Sequence, residues 1–168
     1  WAKSKLDINA NYKHFDSPLL IQDQVVRYLG NSYNISISFY AMPFRWMSLE
    51  YANNWYMTKS RMKYGAAVPA LNILKSNLAL SFIITKALSV NFNLANYYNN
   101  RNKRDKSFIL SNAEASYAIK RWNFTLVVDN LWNQKQYINS FSTELQENTT
   151  IYRIRPRSVL LKVRYRIF

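Results

Sequence analysis

Residues 158–168 read S-V-L-L-K-V-R-Y-R-I-F. Val159, Leu161, Val163, Tyr165 and Ile167 alternate with Leu160, Lys162, Arg164 and Arg166. Successive side chains of a strand leave opposite faces, so this alternation predicts a β-strand with one apolar and one largely basic face. A strand that crosses a bilayer within a barrel needs roughly 9–11 residues, apolar toward lipid and polar toward the lumen. The segment has that length and those two faces.

Working back from this end, the same rhythm recurs. The alternation predicts strands at about residues 3–13, 28–41, 45–59, 75–84, 87–99 and 108–119, a seventh from Trp122, and an eighth over 151–168. Met42-Pro43-Phe44, Thr85-Lys86 and Lys120-Arg121 read as tight turns. Residues 14–26, 60–74, 100–107 and 141–150 read as longer loops, the second holding Gly65 and Pro69; residues 130–140 read as a polar, aromatic continuation of the seventh strand. Tight and long connections then alternate, as in barrels with short periplasmic turns and longer extracellular loops. Trp122, Tyr117, Tyr165 and Tyr40 fall near the tight-turn ends; Tyr12, Trp55, Tyr56, Tyr97, Tyr98, Tyr137 and Tyr152 fall near the others. Two aromatic belts suit two membrane interfaces, because Trp and Tyr have apolar bodies and polar tips.

Composition narrows the class. The 168 residues include no cysteine, which removes disulfides and thiolate metal sites, and only two glycines and four prolines. No apolar run approaches the roughly 18 residues of a membrane-spanning helix. The chain begins at Trp1 without a signal-peptide pattern, which reads as a processed or truncated start. The net charge is +14. Its clusters (Lys59, Arg61 and Lys63; Arg101, Lys103, Arg104 and Lys106; Arg153, Arg155 and Arg157) fall at strand ends or loops. Cations so placed can pair with outer-leaflet lipid phosphates, and Arg153, Arg155 and Arg157 are the candidates taken for that role.

Other chemistries find little footing. His14 is the single histidine, and its closeness in sequence to Asp16 and Ser17 does not make a triad, which is defined by position in space. No paired-carboxylate, phosphate-loop or metal-ligand spacing appears, so no enzyme, cofactor or metal site is expected. A single-stranded nucleic-acid platform would carry aromatics over a basic groove, but here the aromatics share a face with Leu, Ile and Val.

A family likeness comes from residues 122–133, W-N-F-T-L-V-V-D-N-L-W-N, with Tyr137 close behind. A Trp, an alternating strand and Asn-Leu-aromatic-Asn resemble the penultimate strand of TonB-dependent outer-membrane receptors, most closely the SusC-like and related barrels. R-P-R-S-V-L-L-K-V at residues 155–163 resembles the final strand of that group. Such barrels usually end on an aromatic in phase with the lipid face; here Ile167 holds that phase and Phe168 lies one residue beyond. The resemblance implies an all-β fold: residues 1–168 as about eight antiparallel strands, the last third of a 22-stranded transmembrane barrel whose plug lies upstream. It implies uptake of a polar nutrient across a Gram-negative outer membrane, with lipid and lipopolysaccharide around the barrel, TonB engaged through the upstream part, and possible pairing with a surface lipoprotein. Lumen-phase residues near the outer ends, Asn54, Tyr56, Asn93, Tyr97 and Asn99, are the candidate solute contacts. The competing expectation is a complete eight-stranded barrel serving as an anchor, adhesin or small binding protein.

Overall fold

The computed structural model describes residues 3–21, 23–62, 67–102, 106–142 and 147–167. Ten strands and no helix occur among them: β1 (Lys3–Ile21), β2 (Gln24–Phe44), β3 (Met47–Met62), β4 (Ala67–Ile83), β5 (Leu88–Asn99), β6 (Ser107–Ile119), β7 (Trp122–Asp129), β8 (Gln136–Ser142), β9 (Glu147–Arg153) and β10 (Ser158–Tyr165). Eight form one antiparallel sheet in the order β1-β2-β3-β4-β5-β6-β7-β10, and β8 and β9 form a separate hairpin. Among the described residues β1 pairs with β2 only and β10 with β7 only, so the sheet is open.

Four expectations need correction. Residues 14–26 and 60–74 are mostly strand rather than loop, as are the described residues of 141–150, which belong to β8 and β9: β1 and β2 stay paired out to Ile21↔Gln24, β3 and β4 to Arg61↔Ala67, and β8 and β9 to Ser142↔Glu147. Polar composition does not end a ladder whose backbone partners persist. Pro18 lies in the far extension of β1 opposite Arg27, and Pro69 sits in the register shift between Thr58 and Ser60. Long and tight connections therefore do not alternate as expected. The Met42-Pro43-Phe44 segment ends β2 across another register shift, and the turn itself is Arg45-Trp46. Last, residues 130–140 do not continue β7, and the expected strand over 151–168 is two strands. Residues 151–153 belong to β9 and pair with β8, while Ser158 starts the strand that pairs with β7. Arg155 and Pro156 lie between them outside any ladder. Phe168 lies outside the described residues.

The registers assign the faces. One row across the sheet runs Ala41, Leu49, Leu80, Phe92, Ala113, Val128, Val159. The next row on the opposite face runs Lys5, Tyr40, Glu50, Ala79, Asn93, Asn112. The apolar face is not covered by any other layer: Leu6, Ile8, Leu126, Val159, Leu161 and Val163 are exposed, and Leu71 is the one apolar side chain buried among the described residues. The chain exposes 12566 Å², against about 8,700 Å² for a compact monomer of its 19.9 kDa.

The apolar band crosses the strands obliquely. At the end away from the Arg45-Trp46, Thr85-Lys86 and Lys120-Arg121 turns, its limit is the Tyr12–Tyr33 pair in β1–β2 and the Val128–Val159 pair in β7–β10. The turns step the same way. Phe44 and Met47 align through Phe82, Val90 and Ala115 with Leu126, while the β6–β7 turn lies beyond it at Ile119–Trp122. Both limits drift by about one residue per strand; at ~3.4 Å per residue and ~4.8 Å per strand, the band lies roughly 35° from the perpendicular to the strands. Aromatic pairs mark both limits: Tyr12–Tyr33 at 5.3 Å on one side, Trp122–Tyr165 at 4.7 Å and Phe44–Trp46 at 5.1 Å on the other.

Candidate functional site

The polar face is the first part of the site. The registers place Asn11, Ser48, Glu50, Asn54, Ser81, Asn91, Asn93, Asn112, Glu114, Ser116, Thr125 and Asp129 on it together. They share a face because a strand turns every second side chain the same way. A trough of about 580 Å³ is lined from six successive strands, by Lys5, Ser38, Glu50, Asn77, Asn93 and Asn112 among others. A cavity touched by six neighbouring strands means that this face is concave. A second cavity of about 410 Å³ adjoins it, lined by Asp7, Asn9, Ser36, Asn54, Lys75 and Asn77. Asn77, Asn93, Asn112 and Ser38 on the lining can donate and accept hydrogen bonds, interspersed with apolar and small residues such as Leu110, Ala52, Ala79 and Ala95. Lys5 pairs with Asp7 at 2.9 Å within it.

The candidate solute contacts divide on this surface. Asn93 lines the larger cavity and Asn54 the smaller. Tyr56 lies one row farther along, between Asn34 and Ile73. Tyr97 shares a row with Asn54 and Lys75, and the Lys75 ammonium stands 5.8 Å from its ring centroid. Asn99 is not open to a solute: it has no exposed surface, and its amide donates to the Ser140 carbonyl at 2.7 Å. Sequence reasoning passed over Asp7, Lys75 and Asn77. Their phase was the available signal: all three lie on the polar face, and Lys75 stands opposite Asn54 and Tyr97.

The β8–β9 hairpin accounts for Asn99. Tyr97, Asn99 and Phe108 all lie on the polar face at the end away from the three turns, and the hairpin packs on them. Tyr137 of β8 meets the Tyr97 ring edge-on at 5.1 Å, Phe108 at 5.2 Å and Tyr152 of β9 at 5.7 Å. Tyr97 donates to Asn139 Oδ1 at 2.9 Å. Asn102 donates to the Ile138 carbonyl at 2.8 Å and accepts from the Ser140 amide at 3.1 Å. Two asparagines thus act as surrogate backbone partners for a strand that has no place in the main ladder. Burial, helped by the neighbouring Tyr97 and Tyr152 phenols, pushes the Tyr137 phenol well above its ordinary value of 10.0.

The Asn-Leu-Trp-Asn segment is the corner from which this hairpin departs. Asn130 and Asn133 both have a φ of 53°, a left-handed conformation that asparagine tolerates better than most residues. Asn130 is 3% exposed. Its amide donates to the carbonyls of Gln134 and Arg155 at 2.8 and 2.9 Å, and its Oδ1 accepts from the Gln134 amide at 2.8 Å. Asn133 accepts from the Arg157 amide at 3.0 Å. The corner therefore ties the end of β7 to the start of β10 across the excursion. Arg155 and Arg157 sit beside it, next to the Val128–Val159 limit of the apolar band; Arg153 ends β9, and all three side chains are exposed. Lys63, Lys103 and Arg104 lie outside the described residues.

Ion pairs are sparse. Among the described residues they are Lys5–Asp7 and Arg27–Asp16, and none joins Glu50, Glu114 or Asp129 to the cations of β10. His14 bonds Asn31 while Asp16 takes Arg27, so the two do not act on each other. The described residues contain no cluster of three or more carboxylates and imidazoles fit for a metal ion. No family model, curated protein or solved structure matches the chain.

Proposed function

We propose that this sheet is part of the wall of a Gram-negative outer-membrane β-barrel, with β1 and β10 joining further strands, and that the barrel is a TonB-dependent transporter of a polar solute. The observation that carries the barrel reading is the oblique apolar band. Barrel strands tilt by ~35–45° from the axis, so a bilayer crosses them on a slant. A slant of roughly 35°, bounded by aromatic pairs, is what that geometry requires. A single layer with an uncovered apolar face has no water-soluble resting state, because burial of that face is the main force available to it. Lipid supplies the missing layer.

The concave polar face supports the transport part of the reading. It would line a wetted lumen, and the amide-rich troughs holding Asn54 and Asn93 would bind solute by hydrogen bonds. TonB dependence rests on the resemblance of residues 122–133 and 155–163 alone. The complete eight-stranded barrel is less favoured, because closure would pair β1 with β10 and both edges are open.

The test is the denatured intact mass of the polypeptide purified from outer membranes, together with its migration before and after boiling in detergent. A mass several times 19.9 kDa with heat-dependent migration supports a larger transporter barrel. A mass near that of this chain, with the same migration, favours the small barrel. Migration unchanged by heat, in protein soluble without detergent, overturns the membrane reading.

A further inference from the structure

On the apolar face of β1–β3, the row beyond the Tyr12–Tyr33 pair is His14, Asn31 and Lys59, and the next is Asp16, Leu29 and Arg61. The face changes from hydrocarbon-like to basic within one row. Lys59 and Arg61 border a groove of about 420 Å³ shared with His14, Asn31 and Ser60. Neither cation forms an ion pair among the described residues, and the nearby carboxylate of Asp16 is held by Arg27 through a second bond at 3.1 Å. Asn31 Oδ1 accepts from Tyr12 Oη at 2.8 Å and contacts His14 Nδ1 at 2.8 Å. These contacts fix the amide against the aromatic boundary and leave its N–H groups unused by them.

Resting on the membrane reading above, we propose that this groove is a binding site for the phosphorylated headgroup of an outer-leaflet lipid. Lys59 and Arg61 provide charge-assisted hydrogen bonds to a phosphate, Asn31 provides neutral ones, and the acyl chains lie along the Ile8–Ile37 and Ala10–Ile35 pairs below. A free phosphate would find the same cations but no use for the apolar rows beneath them. This site is distinct from the Arg153–Arg157 segment, which stands at the opposite edge of the sheet.

The test uses the whole protein in detergent, with lipid A, phosphatidylcholine and inorganic phosphate as probes and native mass spectrometry as the readout. Lipid A should be retained by the unaltered protein, and the Lys59→Ala/Arg61→Ala double variant should retain it at least about tenfold more weakly. Lys120→Ala/Arg121→Ala, at the opposite end of the strands, should retain it as the unaltered protein does. Equal loss in both double variants, retention of phosphatidylcholine as tight as that of lipid A, or full displacement by millimolar inorganic phosphate would each overturn the assignment. Heat-dependent migration of the same samples reports on the barrel independently. A protein that migrates as a barrel but keeps no lipid A refutes this site and leaves the barrel reading standing.

Discussion

The two sides of the sheet solve the same problem differently. In β1–β4 the strands run on past the apolar band, and what holds the extension is mainly backbone pairing, out to Ile21↔Gln24 and Arg61↔Ala67. In β5–β10 the ladder stops near the band, and side chains take over: Asn99, Asn102 and Asn130, all nearly or fully buried, bond backbone groups of the β8–β9 hairpin and of the segment before β10, neither of which pairs with the main sheet there. The lesson is that a chain can build beyond an apolar band with repeated backbone geometry or with a few specific amides. The first is tolerant of sequence and the second is not.

That contrast can be broken at its base by testing which face meets lipid. Phe92→Arg, in the middle of the apolar band, should destabilise the inserted protein by ~2–4 kcal/mol, while Asn93→Arg on the neighbouring face should cost under about 1 kcal/mol. Urea unfolding in lipid vesicles measures both, and equal costs would defeat the face assignment. Next in size is the corner. Asn130→Ala removes three hydrogen bonds and leaves a buried left-handed residue, so a loss of ~2–3 kcal/mol and faster proteolysis between residues 130 and 157 are expected. An unchanged cleavage rate would show that the corner is held by something else.

Smaller effects sharpen the comparison. Tyr137→Ala should cost ~1–2 kcal/mol, confined to the hairpin, because its ring joins Tyr97, Phe108 and Tyr152; hydrogen exchange in residues 136–153 should rise while β1–β4 stays protected. The same ring gives a pH signature. Its raised phenol favours the neutral form in the folded state, so hairpin stability is complete below the ordinary tyrosine value near 10.0 and declines only as pH climbs above it. Ultraviolet difference titration should show one phenol that resists ionisation until the hairpin opens. On the β1–β4 side, Gly30 is the exception to tolerance. A Cβ there would stand 2.7 Å from the Lys59 carbonyl and press into the Phe15 ring, so Gly30→Ala should cost about 1–3 kcal/mol and release that ring. A neutral Gly30→Ala would mean that the ladder yields there.

The faces were legible in the sequence because alternation is a property of the backbone and survives any register. The face of nearly every strand residue in the main sheet from Lys5 to Arg164 follows from it, though its cross-strand partner does not. The far extents of β1–β4 were not legible. Beyond the band neither face is required to be apolar, so Asp16, Ser17 and Pro18 look like loop residues while their backbone remains paired. The hairpin was hidden for another reason. Residues 136–140 carry a weak pattern, and what docks them is Asn99 and Asn102, about forty positions earlier. The Asn-Leu-Trp-Asn segment announced itself as a motif, but its use emerges only when both asparagines are seen at positive φ with Arg155 and Arg157 brought back to them.

The oblique band has a consequence for the shape that a solute would meet. On the barrel reading, a level membrane surface would cut β7 and β10 near their ends but β1 and β2 about nine residues short of theirs. This stretch of the rim would then be a parapet with one tall side and one low side, the tall one rising about 25 Å above the lipid at ~3.4 Å per residue along the slant. The low side is where the tyrosine-faced hairpin leans inward. Entry past this stretch would then be lopsided, with a particle guided along a high wall toward a lower sill, and binding at the sill should tolerate shortening of the wall better than loss of the hairpin.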